Sequence, residues 1–179
     1  MKRVMAVVLC ICFLLVVAGG TGTVEAQQST SIPLDQLGFT SDRTNGIPGI
    51  SITRYYGAGG AIVIQREINR IPIRSIGDKA FSGEKIFSVI IPDSVVIIGE
   101  SAFSGNLLTS VTIPNSVTSI GDFAFNGNLL TSITIGANVS FPARFWDNLS
   151  IFKRIYKDGG SLAGTYTRPD VNSDVWTKR

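Results

Sequence analysis

From Ile76 to Val139 the apolar positions recur every 22 residues, not with the short periods of a single helix or strand. Ile76-Gly77, Ile98-Gly99 and Ile120-Gly121 hold the step, as do Ala80-Phe81, Ala102-Phe103 and Ala124-Phe125. So do Gly83, Gly105 and Gly127, and Val95, Val117 and Val139. Ile91-Pro92 and Ile113-Pro114 match, and Ile135-Gly136 continues the register with Gly replacing Pro. Within the unit Leu108–Leu129, LTSVTIPNSVTSIGDFAFNGNL, the residues Val111 and Ile113 alternate with Ser110 and Thr112, which predicts a half-buried strand. Pro114 stops ladder pairing, and Ser116–Ile120 reads as a second short extended piece. Gly121 turns the chain, Asp122–Phe125 is expected as one helical turn, and Gly127-Asn128 leads back into the next strand.

A unit this small cannot close a core alone, so the period predicts a repeat solenoid, mainly β. Stacking coils about 4.8 Å apart lets their strands pair in parallel. Like side chains then pile up: Phe81, Phe103 and Phe125 in one spine, with Phe145 close to register, and Ile76, Ile98 and Ile120 in another. The opening L-x-x-V-x-I and the 22-residue length fit the spacing of a leucine-rich-repeat array, with short parallel strands, helical turns and a cap at each end.

The flanks follow other patterns. Lys2 and Arg3, the apolar run Val4–Ala18 and the small residues up to Val24-Glu25-Ala26 read as a signal peptide (1–26), cleaved after Ala26. The run falls short of the ~20 residues a spanning helix needs. Residues 27–49 are polar and aperiodic and read as a lead-in linker. Residues 50–75 are expected as an N-terminal cap of two short strands around the Gly-rich turn at Gly57–Gly60. The repeats span 76–141, and 142–179 forms the C-terminal cap and tail. There Phe145, Leu149, Phe152 and Tyr156 have helical spacing over Arg144–Tyr156, and Gly159-Gly160 ends the helix. Ala163–Thr167 and Val175-Trp176 are expected as a terminal hairpin, with Trp146 and Trp176 in the cap core.

Leu108–Phe125 resembles the unit of the BspA-type leucine-rich repeats of bacterial surface proteins, in a 22-residue variant similar to treponemal members. Many members carry a Cys near the Ala-Phe turn, where this chain has Asn106 and Asn128. AIVIQREINRIPIRSI (Ala61–Ile76) and YKDGGSLAGTYT (Tyr156–Thr167) resemble the segments that flank such repeats. The resemblance implies surface exposure and adhesion to host proteins or other cells.

Composition narrows the chemistry. All Cys and Met residues lie within the first dozen positions, and the chain has no His. A chain cleaved after Ala26 therefore has no disulfide, thiol nucleophile, Cys/His zinc site or His base. Without Lys2, Arg3 and Glu25, the 16 basic and 13 acidic residues become 14 and 12, a net +2. That balance, without clustering, does not argue for nucleic acid. The tail from Ile151 is more basic, with Lys153, Arg154, Lys157, Arg168, Lys178 and Arg179 against Asp158, Asp170 and Asp174.

Asp78, Glu100 and Asp122 fall one repeat apart and begin the expected helical turns, where a negative charge gains ~0.3–1 kcal/mol. They read as caps, with a metal ladder as the alternative. No carboxylate pair outside that ladder stands out for acid–base work, so a carbohydrate-active enzyme is the weakest class. No cofactor is expected. Ser88, Ser110, Thr112, Ser132 and Thr134 take outward strand positions, with Ile90 in the same row, and form the expected binding face. The expected partner is an extracellular protein or cell-surface macromolecule. Membrane contact would be only through the signal segment, and location would be secreted or envelope-exposed. The alternative is a passive envelope structural protein that self-associates.

Overall fold

The computed structural model describes residues 30–141 and 150–179. The strands are β1 (Thr30–Ser31), β2 (Leu37–Asp42), β3 (Gly49–Tyr55), β4 (Gly60–Val63), β5 (Glu67–Ile68), β6 (Ile71–Ile76), β7 (Ile86–Ile90), β8 (Ile97–Ile98), β9 (Ser110–Thr112), β10 (Ser119–Ile120) and β11 (Ser132–Ile135). The helix α1 (Ser150–Asp158) and the strands β12 (Gly164–Thr167) and β13 (Thr177–Lys178) complete the chain. The architecture is the expected mainly-β solenoid of about four coils.

Each repeat coil has three sides. One side is a long strand: β1, β4 and β7 pair in parallel, and β9 pairs with β11 in parallel. Leu107 N–H donates to the Ile86 carbonyl (2.8 Å), which joins the β7 coil to the β9 coil. The second side is the run β3, β6, β8 and β10, also parallel, with Ser119 bridged to Ser140 beyond it.

The third side corrects an expectation. The segments predicted as helical turns are not helical. Lys79, Ser101 and Phe123, 22 residues apart, have φ of 57°, 53° and 56°. Their neighbours bond from coil to coil: Phe81 N–H donates to Ala102 O (2.8 Å) and Phe103 N–H to Ala124 O (2.7 Å). A left-handed residue ends any helical turn, and the freed N–H groups find carbonyls one coil away. Tight approach is enforced at Gly121, where an added Cβ would lie 2.5 Å from the Glu100 backbone nitrogen.

The core is the stack of like residues. The Phe81 and Phe103 rings lie 5.1 Å apart at 9°, Phe103 and Phe125 lie 5.3 Å apart at 7°, and Tyr55 continues the spine beyond Phe81. Ile76, Ile98 and Ile120 are buried beside them, as are Val95, Val117 and Val139. Phe145 lies outside the described residues.

Asn106 and Asn128 supply the polar counterpart. Both are buried. The Asn128 amide N–H groups donate to the Phe103 and Phe125 carbonyls (2.8 and 2.9 Å), and its oxygen accepts from Leu108 N–H (3.1 Å). Asn106 makes the same set to Phe81, Phe103 and Ile86 one coil earlier.

At the N-terminus the expected linker is a correction. Residues 30–42 are not a loose lead-in. β1 pairs with β4, β2 pairs antiparallel with β3, and Ile32 and Leu37 are buried. The two strands around the Gly-rich turn, β3 and β4, turn a corner of the solenoid into different sheets rather than forming a hairpin. The Asp42 carboxylate accepts hydrogen bonds from the Ser75 hydroxyl (2.6 Å) and the Thr44 hydroxyl, tying this cap to β6.

At the other end α1 packs Phe152 and Tyr156 against Tyr166 and Trp176. Residues 144–149 of the expected helix, with Trp146 and Leu149, lie outside the described residues, as does the signal segment. β12 and β13 form a terminal hairpin whose second strand is Thr177–Lys178 and not the expected Val175-Trp176, and Trp176 is buried at its edge under the Arg168 guanidinium. Among the described residues no helix is long and apolar enough to cross a membrane.

Candidate binding face

Strand alternation sends Val111, Ile133 and Tyr166 into the core and leaves their neighbours on the outer face of the long sheet. The register aligns these outward residues in two ranks. One holds Ala61 beside Ser88, Ser110 beside Ser132, and Ser132 beside Thr167. The other holds Val63 beside Ile90, Thr112 beside Thr134, and Thr134 beside Thr165. The register thus brings Ser110, Thr112, Ser132 and Thr134 together, while Ser88 lies on β7 in the neighbouring three-stranded sheet. Ser88, Ser110 and Thr112 are exposed, whereas Ser132 and Thr134 are half-buried. β12 extends the sheet past β11, and the Thr134 and Thr165 hydroxyls meet at 2.9 Å.

Two features of the face were not read from the sequence. The hydroxyl ranks continue into the cap through Thr165 and Thr167, which flank buried Tyr166; the alternation Thr-Tyr-Thr was the available signal. The N-terminal part of the face is apolar beyond the expected Ile90, which is 49% exposed, because Phe87 is also 42% exposed. A register shift opposite Gly60-Ala61 leaves Phe87 and Ser88 both outward, where alternation from Ser88 and Ile90 would turn Phe87 in. A strict alternation read along Ile86–Ile90 misses that shift.

The electrostatics of the surface are segregated. None of the seven strands β1, β4, β7, β9, β11, β12 and β13 contains Asp or Glu. The acids Asp78, Glu84, Glu100 and Asp122 belong to the turn side instead. Asp78 does not cap a helix, which corrects the expected role. Its carboxylate accepts the Glu100 N–H of the next coil at 2.8 Å. Among the described residues no group of three or more Asp, Glu, Cys or His side chains could hold a metal ion. Basic residues close the far end of the sheet, with Lys178 on β13 and Arg179 N–H donating to Thr165 O (2.9 Å). Arg168 is buried; burial draws its pKa down, and its Nε donates to Leu130 O at 2.7 Å.

Residues 71–155 match the family described as the BspA type leucine rich repeat region, in six copies. A similar solved structure is the crystal structure of a T. pallidum leucine rich repeat protein. It shares 26% identity over 62% of this chain and 55% of that one, with a TM-score of 0.43. The chain thus spans about half the length of that relative. No curated protein matches the chain.

Proposed function

We propose that this chain, whose residues 71–155 form a BspA-type leucine-rich-repeat region, is an exported adhesion module that binds a protein or other macromolecule on a cell surface through the outer face of its long sheet. The observation that carries the reading is the acid-free, rigid surface of aligned Ser and Thr hydroxyls continued from repeats into cap. Such a surface offers many hydrogen-bond partners at fixed spacing while losing little entropy on binding. Solenoid repeat proteins use extended surfaces of this kind for binding rather than catalysis. The N-terminal charged and apolar run supports export, and the family resemblance supports a place on the bacterial surface.

Two experiments test this. Fractionation of the native organism, with mass spectrometry of the N-terminus, is expected to find the chain outside the cytoplasm and beginning at Gln27. Immobilised extracellular-matrix proteins and intact bacterial cells are expected to capture the chain, and Ser110→Glu combined with Thr112→Glu to reduce capture. Silence across that screen removes the adhesion reading.

A self-associating structural role is the second reading. The observation that favours it is the edge strand β2, which pairs on one side with β3 only and leaves Phe39 41% exposed. A monodisperse monomer in size-exclusion chromatography counts against it.

A further inference from the structure

The binding face has an apolar corner. Leu107 N–H bonds to Ile86 O, which lays Leu107 alongside Phe87 on the neighbouring coil. Leu129 N–H makes the equivalent bond to Leu108 O one coil further on (2.9 Å). Leu107 and Leu129 are 47% and 45% exposed, close to Phe87 and Ile90 in degree. Lys85, also exposed, precedes this group where the turn side enters the sheet. The core does not need these side chains, since Ile86, Leu108 and Leu130 beside them are already fully buried. Apolar groups kept exposed together on adjoining coils mark an interaction site rather than scattered surface.

We propose that Phe87, Ile90, Leu107 and Leu129, with Lys85 at their margin, anchor the partner, and that the partner enters as an extended protein segment with apolar side chains on one face and Asp or Glu at one end. This rests on the reading of the sheet as the binding face. Charge selects the occupant. The sheet strands hold no acid, Lys85 stands at one margin, and Lys178 and Arg179 stand at the far end. A second copy laid face to face would set Lys85 and Lys178 against strands that hold no acid. A basic or neutral segment would leave Lys85 unanswered. An extended segment with one apolar face and an acidic end instead places apolar residues in the corner, its terminal carboxylates beside Lys85, and its backbone within reach of the Ser and Thr ranks.

The test uses the chain cleaved after Ala26 and a fluorescein-labelled ten-residue peptide with Phe and Leu at alternate positions, Ser between them and two Asp at one end. One control peptide carries Lys for Asp, and another carries Ser for Phe and Leu. Fluorescence anisotropy is expected to show binding of the first peptide only, weakened by added salt. Leu107→Ser combined with Leu129→Ser should weaken it at least tenfold, and Lys85→Glu several-fold, with unchanged far-UV circular dichroism. Equal binding of either control peptide overturns the proposal, as does no binding of the first. Cell capture separates this from the broader reading. If the double leucine variant is captured by cells as well as the native chain, the anchor is overturned and the face reading stands. If the native chain is not captured at all, both fall.

Discussion

Single polar side chains hold neighbouring coils in register, and Asn128 shows how much one of them carries. It answers one backbone N–H and two carbonyls inside the core, on two successive coils. Asn128→Ala leaves those groups without partners, each costing ~1–3 kcal/mol when buried. With relaxation, the expected loss is at least about 2 kcal/mol, a fall of roughly 4 °C or more in Tm for a domain of this size. Thermal circular dichroism reads it directly, and an unchanged Tm would show that water replaces the amide. Glu84 occupies the same place one coil earlier and is half-buried, so the ladder begins at Asn106. Asp42 plays a comparable part in the N-terminal cap. The hydrogen bond from Ser75, then that from Thr44, holds its carboxyl below the ordinary carboxylate value. A lowered folded pKa gives stability that is present above the unfolded value near 3.9 and is lost as pH falls through the folded value. Urea midpoints are therefore expected to drop below about pH 4 in the native chain. Asp42→Asn should lower the midpoint at pH 7 and flatten this part of the pH dependence.

At the level of elements, close stacking decides which residues the coil tolerates. Gly121→Ala pushes a Cβ to 2.5 Å from the backbone nitrogen of Glu100. The coils must part or the turn must shift, at an expected cost of ~1–3 kcal/mol as for other overpacked interiors. Phe103→Asp is harsher, since Phe103 stacks between Phe81 and Phe125 with no exposed surface. An uncompensated charge there is expected to abolish the cooperative melt, and a normal melt would place the spine elsewhere. The repeats were legible because every buried position is written three times, so Phe81, Phe103 and Phe125 announced their own stacking. The turns were misread because Asp122–Phe125 has helix-compatible residues. Nothing local records that Phe123 takes φ 56° to send its neighbours' bonds to adjoining coils. Strand β2 was missed because LGFTSD buries only Leu37 and pairs with a partner its own composition does not show. The hydroxyl ranks of the face could be read from strand alternation. Ile90 could be read with them, but Phe87 could not, because its register shift is set by pairing with Gly60 and Ala61.

Across the whole molecule, stability is a chain of nearest-neighbour contacts held at its two ends. The ends are unlike. The N-terminal cap adds strands to both long sides, with β1 on one sheet and β2 and β3 on the other. The C-terminal cap relies on one aromatic cluster: Phe152 packs against Tyr166 and Trp176, and Arg168 lies 5.0 Å from the Trp176 ring while bonding to Leu130 O. Trp176→Ala removes a buried ring, typically ~3–5 kcal/mol, and loosens the group that ties β12 to the last coil. In a linear array that loss stays near its source. Hydrogen exchange is therefore expected to accelerate first in β12 and β11, then in β9, while β3 and β6 keep their protection. The predicted binding site spans that gradient, with its apolar corner on β7 and its last hydroxyls on β12. The variant should then keep the peptide anchor at Leu107 but lose affinity for a partner long enough to reach Thr165. Uniform acceleration across all strands would instead make the array one cooperative unit, and the two halves of the face could not be uncoupled by a cap mutation.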